Sequence, residues 1–145
     1  MKNDNFILTY TFLNENNTKR FIKIASKKLG YHIYNVKKKY KNSIEKFIYG
    51  IINCKAVITN SFHGTIFSII FNKPFVSFIF KNSAKERLNS LKKLFNVENR
   101  IFEYNQIPDV NLLITPLNIN NKLMNSLKIK SINYQIGRAS CRERV

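Results

Sequence analysis

Short β-prone runs alternate with amphipathic stretches along this chain, and this alternation constrains its fold more than any other feature. Apolar or β-branched runs, which predict strands, lie at residues 6–12, 31–36, 55–59 and 75–80. Stretches with helical spacing or continuous apolar character lie between them, at residues 17–30, 42–53 and 62–71. Strands that alternate with helices form βαβ units. The sequence therefore predicts an α/β fold with a Rossmann-like parallel sheet and helices on both faces.

The rest of the chain extends the same pattern. It predicts a helix over 83–95, a short strand over 100–104 and a final helix over 118–136. Two capping boxes and a terminal glycine indicate helix boundaries, at Asn42 with Glu45, at Ser83 with Glu86, and at Gly30. The residues expected to face the core are Phe21, Ile24, Ala25 and Leu29, then Ile44, Phe47, Ile48 and Ile51, then Leu88, Leu91, Leu94 and Phe95.

Composition limits the compartment and the chemistry. The chain has 145 residues and is 44% hydrophobic, which is enough for one domain with a core. No apolar run approaches the ~18 residues that span a bilayer, and the first residues hold an acid and no small-residue cleavage site, so a cytoplasmic location is expected. Cys54 is expected in the core. Neither Cys54 nor Cys141 has the spacing of a metal ligand, so no metal is expected.

The formal net charge of +17 raises the question of a nucleic-acid partner. Asparagine, lysine and isoleucine are abundant while glycine is scarce, a bias that AT-rich coding DNA produces without selection for a basic surface. No RNP motif, KH loop, zinc finger or helix-turn-helix pattern is present. Compositional bias is the favoured explanation, and no nucleic-acid partner is predicted. Attraction to an anionic surface stays open as the alternative.

The stretch ITNSFHGTIFSIIFNKPF, residues 58–75, holds the strongest functional signal. In open parallel sheets, ligands bind at the carboxyl ends of strands, where Ser61 and His63 are placed. The next helix begins there, and its unpaired amides and positive dipole end suit a phosphate or a carboxylate. Gly64 would let the backbone approach such an anion, and Ser61 and Thr65 would add hydroxyl donors.

His63 would supply the chemistry at this turn. An imidazole with an ordinary pKa of ~6.5 exchanges protons near neutrality, so it could act as general acid or base beside a bound phosphate. A structural interpretation stays open as well. Ser61 could simply cap the helix, and His63 could be a half-buried residue with satisfied hydrogen bonds.

The stretch AVITNSFHGTIFSIIFNKPFVSF, followed by ERLNSLKKLFNVENRI, resembles the polysaccharide pyruvyl transferase family. Members carry a strand ending in Thr-Asp/Asn-Ser, then an aromatic residue or leucine, His-Gly, and a buried helix that ends before a Lys-Pro or similar pair. A leucine-rich helix flanked by two arginines often follows, at positions held here by Arg87 and Arg100. Arg87 is a candidate for substrate binding, and Arg100 fits a structural role better. The resemblance covers most of residues 6–136 and is densest from 44 to 102.

The resemblance implies a glycosyltransferase-B-like (GT-B-like) architecture, with two Rossmann-like domains facing across a cleft. It implies transfer of the pyruvyl group of phosphoenolpyruvate to a saccharide of a cell-surface polysaccharide, without a metal or organic cofactor. His63 would be the catalytic acid/base, and Ser61, Gly64, Thr65 and Arg87 would bind the donor. A lipid-linked acceptor would suit a location at the inner face of the membrane, with peripheral membrane contact.

The resemblance is to the C-terminal half of such proteins. Residues 1–136 are therefore expected to be the C-terminal Rossmann-like domain, with the facing N-terminal domain missing. The isolated chain is expected to bind anions weakly and to transfer nothing. Two alternatives stay open: a sugar-nucleotide-dependent glycosyltransferase domain whose same corner holds a diphosphate, and a non-enzymatic basic module that binds nucleic acid or anionic lipid.

Residues 137–145, GRASCRERV, differ in composition from everything before them. They hold three of the six arginines and the second cysteine, and the predicted final helix is still in phase where they begin. This pattern predicts a non-native tail, produced by a frameshift, an assembly join or adaptor-derived sequence. Re-sequencing the locus is expected to show a different reading frame after Ile136. A frame that runs cleanly through the same codons would contradict the prediction.

Overall fold

The computed structural model describes residues 5–11, 16–36, 44–79 and 82–118. In chain order, the strands and α-helices along them are β1 (Phe6–Tyr10), α1 (Asn16–Leu29), β2 (His32–Asn35), α2 (Ile44–Asn53), β3 (Ala56–Thr59), α3 (Phe62–Ile70), β4 (Phe75–Ile79), α4 (Asn82–Phe95) and β5 (Ile101–Glu103). Short 3-10 helices at Glu98–Arg100 and Val110–Ile114 flank β5. The alternation predicted from the sequence is confirmed over these residues.

The strands form one parallel sheet in the order β2-β1-β3-β4-β5. The chain leaves β1 in one direction to form β2, then crosses back to build β3, β4 and β5 on the other side. Right-handed crossovers therefore place α1 on one face of the sheet and the later helices on the other. The two core clusters follow this division, so the predicted Rossmann-like α/β class is confirmed.

Side chains of each strand alternate between the two cores because the strand repeat is two residues. Ile7, Ile58 and Phe78 face α1, where the ring of Phe21 lies 5.8 Å from that of Phe78. Leu8, Val57 and Phe75 face the opposite core, in which the rings of Phe47 and Phe67 join α2 to α3 at 5.8 Å. Complete burial of one such aromatic side chain contributes about 1.5–3 kcal/mol.

Two of the residues expected to face the core are exposed. Ile24 is 41% exposed and Leu94 is 57% exposed, so both predictions are wrong. The buried stripes are narrower than the apolar pattern suggests. Phe21 and Ala25 set the inward direction of α1, and Leu88, Leu91 and Phe95 set that of α4. In each helix the exposed residue lies about 80–95° around the axis from the centre of that stripe.

Several other predictions concern the helix termini and the ends of the chain. Gly30 has φ +70°, as expected for the residue that ends α1. The side chains of Asn42 and Ser83, the final helix predicted over 118–136 beyond its first residue, and the tail at 137–145 lie outside what the structure describes.

Cys54 occupies the core, as predicted. Its side chain is 2% exposed and its thiol donates to the Ile51 carbonyl at 3.1 Å. Burial raises the pKa of this thiol to about 12. It is therefore protonated at neutral pH and unreactive in the folded chain.

Arg100 has the structural role expected from the sequence. The residue is 3% exposed although its side chain is charged. Its guanidinium donates to the carbonyls of Leu112 at 2.7 Å and Thr115 at 2.6 Å, and to those of Phe75 and Pro116 at 3.3 Å. These hydrogen bonds tie β4 to the segment that follows β5.

We expect Arg100→Met to destabilise the chain by about 3 kcal/mol or more, because it leaves several buried carbonyls without donors. Urea unfolding followed by circular dichroism measures the change. Arg87→Met is the matched control, since Arg87 is exposed, and it is expected to cost less than about 1 kcal/mol. Equal costs at the two positions would contradict a structural role for Arg100.

Candidate functional site

The Ser-Phe-His-Gly turn lies at the topological switch point of the sheet. β3 ends at Thr59, which pairs with Tyr10 at the end of β1. The connections from these two neighbouring strands run in opposite directions, to β2 and to β4. A crevice forms outside the carboxyl ends of strands at such a point, and it is the general ligand site of open parallel sheets.

Ser61 is the N-cap of α3. Its backbone is extended, with φ −112° and ψ 142°, and its hydroxyl oxygen accepts from the Gly64 amide at 3.5 Å. The Ser61 carbonyl accepts the first helical hydrogen bond, from the Thr65 amide at 3.0 Å. Because capping uses only a lone pair of the hydroxyl oxygen, the hydroxyl hydrogen can still be donated to a ligand.

Thr59 holds this turn against the sheet. Its side-chain hydroxyl accepts from the Ser61 amide at 3.0 Å and donates to the Tyr10 carbonyl at 2.6 Å. One buried hydroxyl therefore connects the end of β1, the end of β3 and the start of α3. The Tyr10 side chain packs on Phe47 with 4.8 Å between ring centroids, and burial raises the pKa of its phenol, which is neutral at pH 7.

Gly64 is required for close packing of α3 on β3. A Cβ added at Gly64 would overlap the Thr59 hydroxyl and would lie 2.9 Å from Thr59 Cβ. The sequence predicts that this glycine lets the backbone approach a bound anion. The structure gives it a different neighbour, because the missing side chain makes room for Thr59.

Thr65 lies below the turn and is fully buried. Its hydroxyl donates to the Ser61 carbonyl at 2.8 Å and lies 2.7 Å from the Ser77 hydroxyl of β4. The next hydroxyl on this side of α3, that of Ser68, donates to the Gly64 carbonyl at 2.7 Å. These bonds satisfy the polar atoms of a helix that is buried on most sides. A direct contact of Thr65 with a ligand would require the turn to rearrange.

His63 occupies the second position of α3 and its side chain is exposed at the crevice edge. The imidazole meets the Phe62 ring edge to face, with centroids 5.9 Å apart. The guanidinium of Arg87, from α4, lies over the same Phe62 ring at 4.9 Å. Phe62 therefore separates and orients two groups that can carry positive charge at one end of α3.

The structure brings together three of the predicted site residues. His63 and Arg87 contact the Phe62 ring at the N-terminus of α3 and Ser61 directly precedes Phe62, whereas Gly64 and Thr65 lie on the inner side of the helix against β3 and β4. A binding role for each of the predicted residues stays a prediction.

Two residues that shape the site were not predicted from the sequence, Thr59 and Ser77. Signals for both are present. Thr59 is the last residue of a β-branched strand, directly before the turn. Ser77 is a lone polar residue inside the apolar run FVSFI, and a buried hydroxyl in such a run needs a partner from the layer above it.

Among the residues that the structure describes, no three His, Cys, Asp or Glu side chains cluster as metal ligands. None of the helices in that part of the chain is long and apolar enough to cross a membrane.

The sheet, its switch point and the N-terminus of α3 define a Rossmann-like α/β domain with a corner suited to an anionic ligand. A family model described as polysaccharide pyruvyl transferase matches residues 1–82, more than half of the 145. The chain belongs to this family of transferases, as its sequence indicates. The matched residues include the turn and end before Arg87. The comparison with curated proteins and the comparison with solved structures gave no match.

We expect Gly64→Ala to destabilise the chain by about 1–3 kcal/mol, because the new methyl group displaces the Thr59 hydroxyl from its two partners. A double-mutant cycle with Thr59→Ala, measured by urea unfolding, tests the cause. Thr59→Ala removes the hydroxyl, which makes the closest overlap, and leaves only the contact with the Thr59 Cβ at 2.9 Å, so the double variant should cost at least ~1 kcal/mol less than the sum of the single changes.

Gly30→Ala provides the matched control for this cycle. Gly30 has positive φ but nothing within 4 Å of an added Cβ, so its cost should be additive with that of Thr59→Ala. Additivity at Gly64 as well would contradict the packing argument.

Proposed function

We propose that this chain is the donor-binding domain of a polysaccharide pyruvyl transferase, which moves the pyruvyl group of phosphoenolpyruvate to a saccharide acceptor. The exposed position of His63 at the N-terminus of α3, on the switch-point edge of the sheet, carries the proposal. Membership of the family supplies the reaction class.

The charges around Phe62 suit this donor. Phosphoenolpyruvate carries a phosphate and a carboxylate, and the N-terminus of α3 presents amides and roughly half a positive charge. Arg87 adds a guanidinium on one side of Phe62, and Ser61 offers its hydroxyl hydrogen. The planar guanidinium can pair with a carboxylate through two hydrogen bonds while it stays stacked on the ring.

His63 would act as the proton donor and acceptor. A proton given to C3 of the enol leaves C2 with oxocarbenium character, and one acceptor hydroxyl adds there and returns its proton to the imidazole. The C2–phosphate bond then breaks. A second hydroxyl adds to C2, and its proton leaves with the phosphate. The product is a pyruvate ketal, and Ser61, Arg87 and the end of α3 would stabilise the departing phosphate.

A GT-B-like partner domain would complete the cleft. Acceptor contacts would come from that facing domain, so the chain by itself is expected to bind the donor weakly and to transfer nothing. A cytoplasmic location and a lipid-linked acceptor at the inner face of the membrane would fit such a cleft.

Titration of the 145-residue chain with phosphoenolpyruvate, followed by NMR of its two histidines, tests the proposal. The ligand is expected to shift the His63 imidazole signals and to leave those of His32 unchanged, since His32 begins β2 at the opposite edge of the sheet. We expect His63→Ala to weaken binding about tenfold, because a charge-assisted hydrogen bond is lost, and His32→Ala to leave it unchanged.

The same titration with a nucleotide sugar distinguishes the glycosyltransferase alternative from the proposed pyruvyl transferase. Tighter binding of the nucleotide sugar, with phosphoenolpyruvate leaving His63 unperturbed, would overturn the proposed donor. Equal losses in the two histidine variants would contradict the proposed site.

A further inference from the structure

The exposed face of α1 is cationic along its whole length. The helix carries five basic residues and no acidic one. Together with Ile24, they form two adjacent rows with helical spacing, and all six side chains are exposed. One row holds Lys19, Lys23 and Lys27, and the other holds Arg20, Ile24 and Lys28. Among the described residues, no carboxylate forms an ion pair with these cations. We call these six residues the α1 face.

Ile24 gives the α1 face an apolar centre. The buried side of α1 is already used, because Thr18, Phe21 and Ala25 pack against the sheet. Ile24 is 41% exposed and is flanked by basic residues in both rows. On the same side of the sheet, Ile114 is 51% exposed at the end of the 3-10 helix that contacts α1. Aliphatic side chains among lysines are typical of surfaces that lie on a lipid bilayer.

We propose that the α1 face is a docking surface for a membrane rich in anionic lipid. Lysine and arginine bind the headgroups, and Ile24 enters the boundary between headgroups and acyl chains. Nucleic acid fits less well, since this face has no aromatic side chain on which a base could stack, and an exposed isoleucine contributes nothing to phosphate contacts.

The position of α1 relates this surface to the crevice. α1 begins at the edge of the sheet where β1 ends, the same edge that carries His63. The side-chain amide of Asn17 donates to the carbonyl of Tyr104 at 3.2 Å. Tyr104 directly follows β5, so this hydrogen bond holds the start of α1 at that edge. A docked α1 face would therefore keep the crevice close to a lipid-linked acceptor. This last step rests on the proposed function, whereas the docking does not.

Co-sedimentation of the full chain with vesicles of phosphatidylcholine and phosphatidylglycerol tests the proposal. Each basic residue near an anionic bilayer raises partitioning about fivefold, so Lys19→Gln, Lys23→Gln and Lys27→Gln together should lower it on the order of 100-fold. Ile24→Ser should lower it severalfold, with most of this loss persisting at high salt, where charge attraction is screened. Pure phosphatidylcholine vesicles should bind little.

The matched control removes the same charge elsewhere. Lys55, Lys92 and Lys93 lie outside α1, and their combined change to glutamine is expected to lower partitioning less than tenfold. Equal losses in the two triple variants, no sedimentation with anionic vesicles, or binding of an oligonucleotide through the same row without vesicle binding would each overturn the proposal.

His63→Ala should sediment with vesicles like the unaltered chain. If the chain binds vesicles but does not bind phosphoenolpyruvate, the docking proposal stands and only the proposed reaction is contradicted.

Discussion

The Thr59 hydroxyl makes the contacts on which the candidate site depends. It donates to Tyr10 and accepts from Ser61, so one buried group fixes the end of β1, the end of β3 and the first turn of α3. Gly64 is small enough to pack against it. In a low-dielectric interior such bonds are strong and directional, and their loss leaves buried polar groups unpaired. The placement of His63 at the edge of the crevice therefore follows from contacts that His63 itself does not make.

This arrangement divides the turn into two sides. On the inner side, the hydroxyls of Thr65 and Ser77 pair with each other and Gly64 packs against Thr59, and these contacts hold α3 against β3 and β4. On the outer side, His63 and Arg87 flank Phe62, where the proposed donor would meet them. A short motif can thus meet a structural need on one side and leave side chains on the other side for the proposed chemistry, because consecutive residues at a helix start point in different directions. The structural and functional interpretations of Ser-Phe-His-Gly are compatible rather than exclusive.

The sequence predicted the fold well because the hydrophobic repeat and the burial of each segment determine where strands and helices form. The runs around Ile7, Ile58 and Phe78 are short, apolar and bounded by turn residues, which favours strands buried on both faces. The turn at Ser61 follows directly from the end of one of them. The partners of individual side chains were harder to predict from the sequence. The overlap of Gly64 with Thr59 and the bond between Thr65 and Ser77 depend on how closely two layers approach, which no periodicity encodes. Ile24 and Leu94 were misplaced for a related reason, since the width of a buried stripe is set by the neighbour that covers it.

Positive charge acts over two different distances in this chain, at the start of α3 and on the α1 face. At the start of α3 the helix dipole and Arg87 act on a ligand over a few ångströms, a distance shorter than the Debye length, so salt screens them less. On the α1 face the lysines act through solvent, over a Debye length of about 8 Å in physiological salt. AT-rich coding DNA would account for the number of lysines. It does not account for their placement, since the described part of the chain has carboxylates on α2 and α4 and none on α1. The arrangement on α1, rather than the net charge, is therefore the property that a partner can recognise.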